Sequence, residues 1–463
     1  MGVCGTGMAA LAGMLKEKGF HVTGSDQNIY PPMSLFLEKL SIPILKGYDK
    51  KNLDPPPDLV IVGNVITRDN PEAVALARLG IPYLSFPQAL RVFAMGTKRS
   101  IVVSGTHGKT TTSSLVAWFL EKAGMDPGFM IGGMPLNFQT NFKLAGGAYY
   151  VVEGDEYDTA FFDKGPKFLH YNPWATILTS IEFDHADIYR DLDHVVQSFR
   201  KLIRITPSDG ILIAHGDDPV IAREIGKAPC PVLTYAFEGP AHWHVLAMKD
   251  EGPLTRLTVE KAGGVSGSQK TRRIEVSTPL YGRHNMENLL GAVALADFIG
   301  IPHQTIADAA KSFMGVKRRQ EKIVEKRGIC VLDDFAHHPS AVKKTIDAVK
   351  KRYKGRRLIA VFEPRSNSSR RNIFQNAYTN ALDQADFIFI PEPPLMEKIP
   401  PAERFSSIGL VRDLRERGIR ARYFPNTGEL LEGLLGEVHP GDVVLIMSNG
   451  AFDHLHQRLA DRL

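Results

Sequence analysis

The sequence predicts an α/β protein of about three domains built on parallel sheets, with a glycine loop opening the first and a P-loop in the second. Three observations carry this expectation. Apolar strand-like runs alternate with helical periodicities along most of the chain, as βα units require. Two glycine loops stand where a strand would pass into a helix, at Gly5 and at Gly105. The chain has 463 residues, which at roughly 150 residues per domain gives about three domains.

Composition narrows the class. Hydrophobic residues make up 43% and charged residues 23%, which excludes a disordered chain, a collagen-like fibre and a small disulfide scaffold. Lys and Arg number 56 against 51 Asp and Glu, a net charge of +5. That mild excess suits small anions such as phosphates and carboxylates. No run of Lys and Arg is dense enough to require nucleic acid. Cys4, Cys230 and Cys330 are too few and too far apart for a disulfide framework, so a reducing cytoplasm is expected. No uncharged run reaches the ~18–20 residues of a membrane helix. The uncharged residues 2–15 follow no basic segment, so they read as a glycine loop and not as a signal peptide.

The expected domains are residues 1–98, 99–318 and 319–463. The second opens with the strand Ser100-Ile101-Val102-Val103. The third carries buried strands at 329–332, 358–362, 387–390 and 443–447. Residues 240–275, with Gly263-Gly264 and Ser266-Gly267-Ser268, read as a β excursion within the second domain.

The first loop, Gly5-Thr6-Gly7-Met8-Ala9-Ala10, reads G-x-G-x-x-A and leads into a helical stretch to Lys18. Residues 20–26 read as a strand ending in Asp26. Small residues let the backbone approach a pyrophosphate at a helix N-terminus, and an acid about 20 residues on reaches a ribose hydroxyl. Only residues 1–4 precede the loop, so either the start is truncated or the first strand is very short. Taken alone, the loop also fits a nicotinamide-dependent oxidoreductase, or a tight turn with no ligand.

The second loop is the more specific. Ser104-Gly105-Thr106-His107-Gly108-Lys109-Thr110-Thr111-Thr112 follows an apolar strand and enters a helical run. Backbone amides there cradle phosphates, Lys109 adds a charge, and the Thr110 hydroxyl ligates Mg²⁺. Val103 stands where the longer G-x-x-x-x-G-K-T form has glycine. Downstream, a strand at 150–152 ends in Glu153-Gly154-Asp155-Glu156-Tyr157-Asp158. Four carboxylates so close repel one another unless a cation compensates, and beside a P-loop they read as a Mg²⁺ site. A strand at 175–179 leads to Glu182-Phe183-Asp184-His185-Ala186-Asp187, where His185 is a metal ligand or a capping residue.

Together with Gly282-Arg283-His284-Asn285-Met286-Glu287-Asn288 and Asp333-Asp334-Phe335-Ala336-His337-His338-Pro339, these strings resemble the Mur ligase superfamily, the ATP-dependent amide-bond-forming enzymes of peptidoglycan synthesis. The likeness spans nearly the whole chain, in order. Two members carry the Asp-Asp-aromatic-Ala-His-His-Pro string. One adds L-alanine to UDP-N-acetylmuramate. The other attaches an L-Ala-γ-D-Glu-meso-diaminopimelate tripeptide to the same nucleotide, in peptidoglycan recycling. The chain is similar to the second in Val22-Thr23-Gly24-Ser25-Asp26, Tyr30-Pro31-Pro32-Met33-Ser34, the string from Glu156 to Lys164, Glu363-Pro364-Arg365-Ser366-Asn367 and Met447-Ser448-Asn449-Gly450.

The resemblance implies three domains, a Rossmann-like N-terminal one, a central P-loop ATPase and a Rossmann-like C-terminal one, with ATP and Mg²⁺ as cofactors, and UDP-N-acetylmuramate and the tripeptide as small-molecule partners. It implies that Gly5, Thr6, Gly7, Met8, Ser25 and Asp26 bind the UDP-sugar in place of NAD. Gly105, Thr106, His107, Gly108, Lys109, Thr110 and Thr111 would bind ATP, as would His284, Asn285, Asn288, Asp334 and His337. Thr110, Glu153 and His185 would hold Mg²⁺, and Lys109, His185 and Arg319 would be catalytic, with Arg318 beside Arg319. The cationic segment with Arg365, Asn367 and Arg370 would bind the peptide carboxylates. A monomer or weak homodimer is expected, with no membrane or nucleic-acid partner. Two departures stand out. Arg200 and Lys201 occupy the stretch where sister ligases carry a carbamylated lysine, so no such modification is expected. Ala451-Phe452-Asp453-His454 replaces a glycine-rich ending. The competing readings are the alanine-adding ligase, a regulatory P-loop NTPase and a dinucleotide-dependent oxidoreductase.

Overall fold

The computed structural model describes residues 1–31, 33–262 and 272–463. Pro32 and the Gly263-Gly264 and Ser266-Gly267-Ser268 pairings lie outside the described residues.

At the N-terminus the expected helix forms over Thr6–Glu17. It ends in a Schellman motif: Phe20 N donates to Leu15 O and Gly19 N to Lys16 O, with Gly19 at φ 87°. That turn consumes residues 18–20, so the strand expected over 20–26 shrinks to Gly24–Asp26. It pairs in parallel with Ile44–Lys46, while Val60–Val62 pairs in parallel with Tyr83–Ser85. Residues 1–3 lie between the two pairs. Gly2 N and Val3 N both donate to Ser25 O, and Gly63 N donates to Met1 O at 3.0 Å. The segment before the glycine loop therefore holds the position of the short first strand, although it is too brief to form a ladder.

The central sheet has ten strands among the described residues. Arg99–Ser104 runs parallel between Pro173–Leu178 and Tyr149–Gly154, with Ser104 in register with both Leu178 and Gly154. Three carboxyl ends thus meet at one edge: the phosphate loop, the acidic cluster and the segment carrying Asp184 and His185. The chain leaves the middle strand for Gly128–Met130, beyond Tyr149–Gly154 on one side, and later crosses to Pro173–Leu178 on the other, which makes this a topological switch point, where open α/β sheets bind ligands. The β excursion is an antiparallel extension of Trp243–Glu251, Leu254–Lys261 and Arg272–Thr278, anchored by the fully buried Trp243.

The third sheet has six strands among the described residues, in the order Glu321–Lys326, Ile329–Asp334, Val443–Met447, Leu358–Phe362, Phe387–Pro391 and Ala421–Phe424. The first pair is antiparallel and the rest are parallel. It begins with Glu321–Lys326, ahead of the strand expected at 329. That strand is an edge of alternating charge and was hidden by its polarity, a common way of blunting a sheet edge. Among the described residues no helix is long and apolar enough to cross a membrane.

Candidate active site

Gly105 and Gly108 have φ of 143° and 83°, values that favour glycine. A Cβ on Gly105 would meet Thr179 Oγ1 at 2.2 Å, and one on Gly108 would meet Asn288 Oδ1 at 2.3 Å. The loop therefore fits closely between the neighbouring strand end and the helix Arg283–Ile299. Thr106 N donates to Ser180 O, and His107 N to Ser180 Oγ at 2.9 Å. The helix that follows, Lys109–Lys122, has no side-chain cap. Its first amides and the positive end of its dipole are open to an anion.

Lys109 Nζ lies 2.9 Å from Glu156 Oε2, and Glu156 is only 2% exposed. His185 Nε2 reaches the other oxygen of Glu156 at 3.2 Å. Burial pushes the Glu156 carboxyl up, but Lys109 and His185 outweigh it and hold it below the usual range. Beside it, burial is overcome by Lys167 and Lys109, which hold Asp155 down to about 2. Thr110 Oγ1 donates to Glu153 Oε2 at 3.1 Å, and Gly132 N donates to Glu153 Oε1 at 2.6 Å. Arg319 Nη2 reaches Thr110 Oγ1 at 3.4 Å, with its guanidinium 4.9 Å from the Phe335 ring centre. Residue 319 thus meets residue 110 across the junction of two sheets.

The three residues expected to hold Mg²⁺, Thr110, Glu153 and His185, all line one cavity between the phosphate loop and the third sheet. Thr110 and Glu153 present adjacent oxygen donors, which suits a hard cation. His185 is paired with Glu156, not Glu153, and has φ 56°, a left-handed backbone held in place by its surroundings. An oxygen-rich pair beside an uncapped helix N-terminus fits a magnesium-bound triphosphate.

Other expected residues fall into two groups. Thr106, His107, His284, Asn285 and Asn288 line the same cavity of about 860 Å³, as do Thr6 and Gly7 from the first glycine loop. Asn285 Nδ2 also donates to Gln320 Oε1 at 2.9 Å, tying the central unit to the third. Gly5 is exposed beside Thr6, and Met8 packs over Gly63.

In the second group the expected side chains are engaged by other parts of the chain. Ser25 is buried and donates to Glu72 at 2.6 Å. Asp26 accepts from Cys4 N and Asn28 N, so it shapes the first glycine loop from behind. Asp334 uses both oxygens on the backbone amides of Gln320 and Ala336, each at 2.7 Å. It positions the Arg318-Arg319 turn, and it also lines the main cavity. Arg370 is 5% exposed, and its guanidinium is spent on Leu395 O, Asn367 Oδ1 and Ser366 O. It braces the peptide segment from inside. Arg365 and Asn367 do line a smaller pocket of about 370 Å³, which shares Tyr157, His185, Phe335 and His337 with the main cavity. Sequence reasoning did not single out Glu156 as the partner of Lys109, because among four close carboxylates nothing along the chain distinguishes it.

Burial lowers His337 to about 4. Burial, with Lys344 and Arg319 nearby, lowers His284 to about 3. The unfolded chain protonates these rings near 6.5, so between pH 6.5 and 4 it binds more protons than the folded chain. Stability therefore falls as pH falls through that window. At pH 5 the His337 contribution is about 1–2 kcal/mol. Urea unfolding at pH 5 and 7 should show this loss, and His337→Asn should flatten the slope; an unchanged slope would contradict it.

An uncapped phosphate-binding helix, a lysine and an arginine converging from two units, and acidic residues beside them define a P-loop enzyme of phosphate-activated chemistry. Comparison with known proteins gives the family. Residues 1–97 match the Mur ligase family catalytic domain, 103–296 the Mur ligase middle domain and 318–450 the Mur ligase glutamate ligase domain. A UDP-N-acetylmuramate–L-alanyl-γ-D-glutamyl-meso-2,6-diaminoheptandioate ligase of Escherichia coli is 39% identical, over 100% of this chain and 97% of its own. A UDP-N-acetylmuramate–L-alanine ligase of Pelotomaculum thermopropionicum is 34% identical, over 97% and 94%. The crystal structure of a murein peptide ligase of Psychrobacter arcticus superposes with a TM-score of 0.74 at 34% identity, covering 99% of this chain and 97% of that one. The chain belongs to the Mur ligase family.

Proposed function

We propose that the chain joins UDP-N-acetylmuramate to the tripeptide L-Ala-γ-D-Glu-meso-diaminopimelate at the expense of ATP, in the reuse of cell-wall peptides. The whole-length similarity to the E. coli tripeptide ligase supports this reading. The observation that carries it is the Arg365 pocket, which shares Tyr157, His185, Phe335 and His337 with the phosphate-loop cavity. The proposed units are 1–98 for the UDP-sugar, 99–318 for ATP and 319–463 for closure and the peptide.

In the proposed reaction a carboxylate oxygen of the UDP-sugar attacks the γ-phosphorus, and ADP leaves. The tripeptide amine, having lost a proton, attacks the acyl carbon, and phosphate leaves with the formation of the amide. Thr110 and Glu153 would hold Mg²⁺, with His185 beside them; its charge offsets the repulsion between phosphate and carboxylate. Lys109 and Arg319 approach the phosphate region from opposite units, so charge that develops there meets preorganised donors. Glu156 holds the Lys109 amine in place, and Thr6 and Gly7 face the same space for the UDP-sugar. Arg365 lies beside Glu363 at 3.3 Å and presents a fork for a peptide carboxylate.

The test is phosphate release with ATP, Mg²⁺ and UDP-N-acetylmuramate plus either the tripeptide or free L-alanine. Release that depends on the tripeptide is expected. Release with alanine alone, or hydrolysis indifferent to the UDP-sugar, would overturn the reading. Arg365→Ala should raise the tripeptide KM about 10–100-fold, as loss of a hydrogen bond to a charged group predicts, and leave the KM for the UDP-sugar unchanged. Equal changes in both would assign Arg365 to folding instead.

A further inference from the structure

A second set of ligating side chains meets where the phosphate loop faces the third unit. His107, from the loop, points Nε2 toward Glu182 Oε1 at 3.8 Å. His338, from the third unit, points Nδ1 toward Glu182 Oε2 at 3.6 Å. The three ligand atoms lie within 4.8 Å of one another. A tetrahedral zinc with bonds near 2.1 Å spaces its ligands ~3.4 Å apart, so each pair with Glu182 would contract by less than an ångström and the two histidines by up to about 1.4 Å.

The chemistry of each group suits a metal. His338 Nε2 donates to Phe183 O at 3.1 Å. That fixes the tautomer and leaves Nδ1 as a lone pair, the arrangement by which a backbone carbonyl orients a ligating histidine. Nδ1 accepts a long hydrogen bond from Ser340 N at 3.3 Å, capping the helix Pro339–Arg352, and a bound metal would take the place of that bond. His107 Nε2 is buried and has no hydrogen-bond partner among the described residues. Such an orphaned polar atom is costly unless something fills the space. The ligands are also held from behind. His107 N is tied to Ser180 Oγ, and Glu182 N to Thr106 Oγ1, each at 2.9 Å. The His338 ring packs against Phe374 at 4.8 Å.

We propose that His107, Glu182 and His338 form a binding site for a transition-metal ion of the zinc class, separate from the Thr110–Glu153 pair. Two imidazoles and one carboxylate favour Zn²⁺ or Co²⁺ over Mg²⁺, which prefers oxygen. Because two ligands come from the central unit and one from the third, the site is complete only when these units are docked. A bound ion pins His338 to the phosphate loop.

The experiment titrates the full-length, chelator-stripped protein with Co²⁺ in excess Mg²⁺, reading visible d–d absorption and binding stoichiometry. One Co²⁺ per chain with the absorption of a low-coordinate site is expected. Glu182→Gln and His338→Asn should weaken it at least about 100-fold, more than the loss of an outer-shell partner, and Glu153→Gln should retain it. Asparagine at 338 keeps the capacity to cap the helix that follows, so folding is preserved. No uptake in the presence of Mg²⁺, or uptake unchanged in both ligand variants, would overturn the proposal and leave Glu182 as an anionic partner of the two rings. Loss in Glu153→Gln alone would move the ion to the Thr110–Glu153 pair and overturn it equally.

Discussion

Lys109→Ala should lower kcat about 10²–10³-fold, or 2.7–4 kcal/mol of barrier, as measured when one preorganised donor to a developing charge is removed. The geometry says how to separate this effect from folding. Lys109 stands 2.9 Å from a carboxylate that is 2% exposed. Removing the lysine leaves Glu156 with His185 alone, and breaking one side of a buried pair costs about 3–5 kcal/mol of stability. The variant should therefore lose both rate and unfolding free energy. In the double variant Lys109→Ala/Glu156→Gln the orphaned charge is gone, so stability should return while the rate does not. Recovery of rate in the double variant would mean that Lys109 only neutralises Glu156, and the proposed contact with phosphate would fall.

The second large effect separates two adjacent arginines. Arg319 reaches Thr110 in the phosphate loop, whereas Arg318 is turned away, with Nε 3.1 Å from Asp333 and Nη2 2.6 Å from Ser448 O. Arg319→Ala should reduce kcat by about 10³-fold or more, the lower end of what an arginine supplied across an interface contributes to phosphoryl transfer. Its unfolding free energy should fall less than that of Arg318→Ala, because Arg319 faces Asp334 and Glu153 without pairing directly with either. Arg318→Ala should do the reverse. Asp333 is 3% exposed, so its stranded charge should cost about 3–5 kcal/mol of stability. Steady-state kinetics and denaturant unfolding of the two variants decide the matter. Matching losses of rate in both would dissolve the distinction between a phosphate contact and a structural tie.

Much of this was legible in the chain before any coordinates. The strand–loop–helix context of Gly105 to Thr112 is local, and local sequence dictates where backbone amides converge. Thr110 and Glu153 were both expected at a metal site, and they stand 3.1 Å apart. What could not be read is how shared groups are divided. Ser25 and Asp26 fit the pattern of a ribose-binding strand end, yet Glu72, 47 residues further on, takes the hydroxyl of one, and the amides of Cys4 and Asn28 take the carboxylate of the other. Arg365 and Arg370 look alike in sequence. Only the fold turns one into a pocket and the other onto the carbonyls of Ser366 and Leu395.

The residues alone determined the α/β class, the phosphate loop and the order of its companion motifs, because spacing and side-chain chemistry along the chain suffice for each. Tertiary structure decided which carboxylate meets Lys109, which of two arginines crosses to Thr110, and that His107, Glu182 and His338 share one small space. Each of these depends on strand register and on the docking of separate sheets, and such distances between remote residues have no expression in linear order.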